Sequence, residues 1–130
     1  MSTFDNIPLT KQLRRAIDEL GFEKPTPIQE QSFPVVRSGK DVVGIAQTGT
    51  GKTLAYMLPI LQDIKFQDID TPRVLVLVPT RELVLQVVDR INEFAQFMNL
   101  RVLGVYGGTN INTQKKSCDS EEGKAQGLDF

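Results

Sequence analysis

Histidine and tryptophan are missing from this chain of 130 residues, and cysteine occurs once, at Cys118. The lack of histidine excludes a Ser-His-Asp or Cys-His catalytic apparatus and any imidazole metal ligand within the chain. A lone cysteine excludes an internal disulfide and a thiolate zinc cluster. Cys118 lies among polar residues and reads as incidental. Long apolar runs are missing as well. The longest clean aliphatic stretch, Val74 to Val78, has strand length, far short of the ~20 residues a membrane helix needs. The opening Met-Ser-Thr-Phe-Asp-Asn-Ile-Pro has neither the basic flank nor the apolar stretch of a secretory signal. The expectation is a cytoplasmic protein, or one from another reducing compartment, with no membrane partner. No charge sign dominates: 15 Lys+Arg face 16 Asp+Glu, and the isoelectric point is about 5.4. Any nucleic-acid contact must therefore come from a local site rather than a global field.

What is present suits one domain with a core, since 40% of residues are hydrophobic. Thr10 is a candidate N-cap for a helix carrying Leu13, Ile17 and Leu20, with Gly21 as its stop. Thr26-Pro27-Ile28-Gln29 opens a second helix with a cap, a proline at N1 and a glutamine at N3. That helix is expected to reach Arg37, kinked or broken near Pro34, and to end at Gly39. Val42, Val43 and Ile45 then make a short strand, followed by a glycine-rich turn and an apolar helix from Lys52 to about Gln62. Asp68 to Pro72 is loop, and Arg73 to Val78 is a strand apolar on both faces, as in a parallel sheet covered by helices. Thr80 caps a helix with Leu83, Val87, Ile91, Ala95 and Met98 down one side. Arg101 to Tyr106 is a further strand ending in Gly107-Gly108. This alternation is the order of an open parallel sheet with flanking helices, an α/β fold with right-handed crossovers. From Gln114 to Gln126 the chain is charged and polar, begins as a helix at most, and offers little to bury. The expected organisation is a helical lead-in over 1–39, an incomplete α/β part over 40–114, and a polar tail over 115–130.

The sharpest local feature is Ala46-Gln47-Thr48-Gly49-Thr50-Gly51-Lys52-Thr53, set between a strand and a helix as a phosphate loop must be. Gly49 and Gly51 let the backbone turn tightly and aim its N–H groups at phosphate oxygens. The helix that begins there favours an anion at its N-terminus. Lys52 brings a cation to the outer phosphates, and the Thr53 hydroxyl suits Mg²⁺. Ala46 stands where the strict G-x-x-x-x-G-K-[ST] pattern has glycine. The bland alternative is an ordinary glycine-rich connection, but the flanking elements favour a nucleoside triphosphate site.

The neighbours of this loop select among nucleotide-binding families. Gly21-Phe22-Glu23-Lys24-Pro25-Thr26-Pro27-Ile28-Gln29 resembles the Q motif of DEAD-box RNA helicases, and Phe4 stands seventeen positions earlier, where that family carries an isolated aromatic. Ala46 to Thr53 is similar to the family's motif I, in which alanine is usual at the first place. Pro79-Thr80-Arg81-Glu82-Leu83 resembles motif Ia, with Val84 where alanine is common. Gly107-Gly108 falls where the family's GG motif lies. The resemblance covers roughly residues 4 to 114 and implies the first RecA-like domain of an ATP-dependent RNA helicase. It implies that Gln29 and Phe22 recognise adenine, by amide hydrogen bonds and by stacking, with Thr26 beside them. Read on their own, Gln29 is equally a capping-box residue and Phe22 a core aromatic. The resemblance further implies sequence-independent RNA contact through Pro79, Thr80, Arg81, Gly107 and Gly108. Thr80 alone is simply a cap, Arg81 a solvated charge, and the glycine pair a strand-ending turn.

The family's Thr-Pro-Gly-Arg, Asp-Glu-Ala-Asp and Ser-Ala-Thr motifs do not occur among these residues. The acidic pair would hold Mg²⁺ through water and position the attacking water. The expectation is thus ATP and Mg²⁺ binding and weak RNA binding, without turnover by this polypeptide alone. The sheet is expected to be incomplete at the C-terminal end, with a missing segment or a partner completing it, and the chain to be a fragment or truncated product, marginally folded by itself. A nucleotide-binding module without turnover and a small P-loop kinase are the alternatives. An adenine-reading motif before the loop and the lack of an arginine-rich lid after it weigh against the kinase.

Overall fold

The computed structural model describes residues 3–65, 71–108 and 110–119. The chain divides into two compact units, Met1–Lys65 with Glu93–Asn99, and Phe66–Asn92 with Leu100–Phe130. In the first unit a 3-10 turn, Phe4–Asn6, precedes α1 (Lys11–Glu19), α2 (Pro27–Arg37) and α3 (Lys52–Asp63). α4 (Arg81–Phe94) and α5 (Ile111–Asp119) follow. Parts of the expected loop and tail, residues 68–70 and 120–130, lie outside the described residues.

α1 begins where Thr10 accepts a hydrogen bond from the Leu13 N–H at 3.4 Å. Leu13, Ala16 and Ile17, spaced three and four apart, are its buried face. It stops at Gly21, whose φ of +75° lets its N–H reach the Asp18 carbonyl while the Phe22 N–H bonds that of Ile17. This double bond is a Schellman closure, and it fixes where Phe22 leaves the helix.

α2 runs through Pro34 to Arg37 without a break. Proline removes one N–H from the ladder, but Phe33 is buried beside it and packing against α3 holds the turn. α3 buries Leu54, Ala55, Met57, Leu58 and Leu61. Polar bonds register the two helices: Ser32 Oγ donates to the Ala55 carbonyl at 2.8 Å, and the Arg37 guanidinium forks onto Asp63, with Nη2 2.8 Å from Oδ1. The Thr10 N–H donates to Gln62 Oε1 at 2.7 Å, which ties the start of α1 to the end of α3.

The segments expected as strands carry no ladder among the described residues. They do keep the alternation of a strand. A Cβ at Gly44 would come within 3.2 Å of Ile28 Cδ1 on α2, so a helix already covers that side of the backbone. Val43 and Ile45 turn the other way and are 90% and 92% exposed. In the second unit a Cβ at Gly104 would lie 3.0 Å from Val88 and 3.1 Å from Val84, both on α4. Leu75, Leu77 and Val105 are the exposed alternates there. A parallel ladder is stable when both faces are buried, and here one face of each segment is bare.

α4 departs from the expected stripe at its first turn. Ile91 is buried as foreseen, but Leu83 is exposed and Val84 and Val88 take its place over Gly104. The expected boundary between residues 114 and 115 falls inside α5.

Candidate phosphate loop and helix-start sites

Residues 46–51 form an open loop whose last residue, Gly51, is the N-cap of α3 with φ +75°. Gly49 has φ +83°, and a side chain there would meet nothing within 4 Å. The loop is braced from within. Thr50 Oγ1 donates to the Gln47 carbonyl at 2.6 Å, and Lys52 Nζ donates to that of Ala46 at 2.8 Å. Lys52 therefore spans the mouth of the loop with further N–H protons to spare. The backbone N–H groups of Thr48 through Thr53 take no acceptor among the described residues. A run of unengaged N–H groups at a helix start is able to hold an anion. The Thr53 hydroxyl stands at the first turn of α3, where a hard cation bridging phosphates would need an oxygen ligand. The donor set therefore fits a triphosphate with Mg²⁺.

Gln29 joins this loop to the segment before it. The side chain is 4% exposed, its Oε1 accepts from the Thr26 N–H at 3.0 Å, and its Nε2 donates to the Gly51 carbonyl at 3.1 Å. A Cβ at Gly51 would strike Gln29 Nε2. The capping role is thus realised, and one N–H proton and one lone pair of the amide remain for another ligand. Thr26 Oγ1 is buried with no hydrogen-bond partner among the described residues, which leaves a polar atom beside the same amide to be satisfied. Phe22 lies with its ring 6.2 Å from that of Phe94, tilted by 55°. It also lines a shallow depression of about 400 Å³ with Phe4, Asp5, Asp18 and Glu23.

In the second unit Thr80 caps α4, its Oγ1 accepting from the Leu83 N–H at 3.2 Å, with Pro79 just before it. The Arg81 guanidinium stands 4.9 Å over the Tyr106 ring. A Cβ at Gly108 would sit 3.7 Å from Arg81 Nη1, whereas one at Gly107 would meet nothing. The helix start and the glycine pair are therefore brought together around Arg81. Sequence reasoning missed Tyr106, which flanks the glycine pair and could have been noticed as an aromatic beside a cation. It also missed Ser32, whose bond to a distant carbonyl leaves no local signal.

The family model described as DEAD/DEAH box helicase matches residues 26–126. The chain is 47% identical over 110 residues to the pre-mRNA-processing ATP-dependent RNA helicase prp-5 of Neurospora crassa, covering 82% of this chain and 9% of that protein. It is 40% identical over 117 residues to the ATP-dependent RNA helicase DeaD of Escherichia coli strain K12, covering 89% of this chain and 18% of that one. Among solved structures, a DEAD box protein from Methanococcus jannaschii superposes with a TM-score of 0.79 at 32% identity, over 91% of this chain and 32% of that chain. The RNA helicase Prp28 of Chaetomium thermophilum, solved with ADP, gives 0.78 at 33% identity, over 88% and 29%. These likenesses support a P-loop, RecA-like fold, and the chain spans less than a third of the length of each of these proteins. A glycine-bent loop ahead of α3, a glutamine tying it to the preceding helix and these matches converge: the chain belongs to the DEAD/DEAH box helicase family.

Proposed function

We propose that the chain is the ATP-gripping portion of an ATP-dependent RNA helicase. ATP is held by residues 46–53, with Mg²⁺ on the Thr53 hydroxyl, and the base is read by Phe22, Thr26 and Gln29. The metal supplies charge neutralisation across the phosphates. The chain's own groups do the rest. The N–H groups from Thr48 to Thr53 donate to the phosphate oxygens, and Lys52 leaves the Ala46 carbonyl to meet the outer phosphates. Gln29 offers its remaining proton and lone pair to the adenine edge. Pro79, Thr80, Arg81, Gly107 and Gly108 supply RNA-backbone contacts without base readout. Relatives named as RNA helicases favour this reading and leave the small-kinase reading without support.

The observation that carries the proposal is the set of unengaged N–H groups over the loop, joined to Gln29 through the Gly51 carbonyl. Calorimetric titration of the chain with ATP, with GTP and with tripolyphosphate, each with Mg²⁺, tests it. ATP is expected to bind most tightly. Equal affinity for GTP, or no binding of either nucleotide, refutes it. These 130 residues hold no Asp-Glu-Ala-Asp, and binding without turnover is proposed for them alone. Phosphate release with ATP, Mg²⁺ and single-stranded RNA should not exceed that in buffer.

A further inference from the structure

Gln114 belongs to none of the motifs above, yet it is 5% exposed and both ends of its amide meet one residue. Its Oε1 accepts from the Tyr106 backbone N–H at 3.1 Å, and its Nε2 donates to the Tyr106 carbonyl at 2.9 Å. A neighbouring β-strand would ordinarily make that pair of bonds, and here a side chain of α5 makes them. The helix is itself anchored at its start, where Asn110 Oδ1 accepts from the Asn112 N–H at 2.9 Å. The Tyr106 ring lies beneath Arg81, and all of these residues belong to the second compact unit.

We propose that Gln114 is a positioning residue for RNA-backbone binding. By clamping the backbone of Tyr106 it sets the ring on which Arg81 rests, and so holds that guanidinium beside Thr80 and Gly108. The inference rests on the reading that Arg81 touches RNA. Its physical content is preorganisation. A residue just before a glycine pair has a loose backbone, and a clamp on its N–H and carbonyl together removes that freedom. An amide carries its donor and its acceptor on two neighbouring atoms, as a clamp on the N–H and carbonyl of one residue needs. An arginine laid on an aromatic face loses less side-chain freedom when it meets a phosphate.

The test is fluorescence anisotropy of a labelled oligouridylate with the full chain, circular dichroism serving as the check on folding. Gln114→Leu keeps the volume and deletes the clamp, and should weaken RNA binding about five-fold, the scale of one hydrogen bond. Tyr106→Leu leaves the backbone bonds to Gln114 in place, removes the ring, and should weaken it comparably. Neither change should cost anything further in an Arg81→Ala background, because the three act as one unit. The Arg81 side-chain N–H resonance should also move in Gln114→Leu as the ring current over it changes. Equal losses in the parent and Arg81→Ala backgrounds overturn the proposal. So does Gln114→Leu binding RNA like the parent while Arg81→Ala does not. An Arg81→Ala chain that binds RNA like the parent instead sinks the RNA reading of Arg81, and the role given to Gln114 falls with it. If Gln114→Leu does not fold, Gln114→Glu, which keeps the acceptor of the clamp and loses its donor, carries the same comparison alone and combined with Arg81→Ala.

Discussion

Lys52 is the residue on which the proposed nucleotide binding turns most directly. It is exposed and bonded to one carbonyl, so replacing it costs the fold little. Lys52→Ala should weaken ATP binding by about 2 kcal/mol, roughly thirty-fold, the worth of a charge-assisted hydrogen bond. Titration calorimetry reads that loss, with an unchanged melting curve as control. Gly51 is the opposite case. Gly51→Ala forces a side chain into positive φ and onto Gln29 Nε2. It should cost about 1–3 kcal/mol of stability by urea denaturation and reduce ATP affinity in the same variant. The loop glycines were legible in the sequence because Gly49 and Gly51 take a positive φ that side chains rarely adopt. Gln114 and Ser32 were not, because each satisfies backbone groups of another element and any position on a polar stretch could do so.

Among the elements, α2 and α3 offer a test in acid. The hydrogen bond from Arg37 holds the Asp63 carboxyl below the usual carboxylate range, aided by the guanidinium charge and opposed by slight desolvation. A lowered carboxyl pKa adds stability that is present above the ordinary value near ~4 and is lost as pH falls through the lowered one. Asp63→Asn should therefore lower the thermal midpoint slightly at pH 7 and make no difference well below pH ~3. Melts at the two pH values check this. Gly44→Val and Gly104→Val place a branched side chain against Ile28 and against Val84 and Val88. Each should destabilise the chain by about 1–3 kcal/mol, read from urea midpoints. The helices were legible because caps and stops are local: Thr10, Gly21, Thr26 and Thr80 mark their ends as expected. The inward side of the first turn of α4 was not, since Leu83 and Val84 are equally apolar and only Gly104 decides between them. Nor was the uninterrupted passage of α2 through Pro34, which depends on burial beside α3.

For the molecule as a whole, the two compact units and the bare alternates Val43, Ile45, Leu75 and Leu77 support marginal stability. A urea melt should show a low midpoint and a shallow slope, and a steep single transition at high midpoint would contradict it. The order of the extended segments was legible from their alternation, but hydrogen bonding between them depends on what lies across each bare face, which periodicity does not encode. No backbone bond between extended segments protects residues 41–45, 74–78 or 101–105 among the described residues. In heavy water the most aliphatic stretches of this chain should therefore be the first to take up deuterium, while the polar-capped helices exchange late. That reverses the usual ranking, in which valine-rich strands at the centre of an α/β domain are the slowest to open.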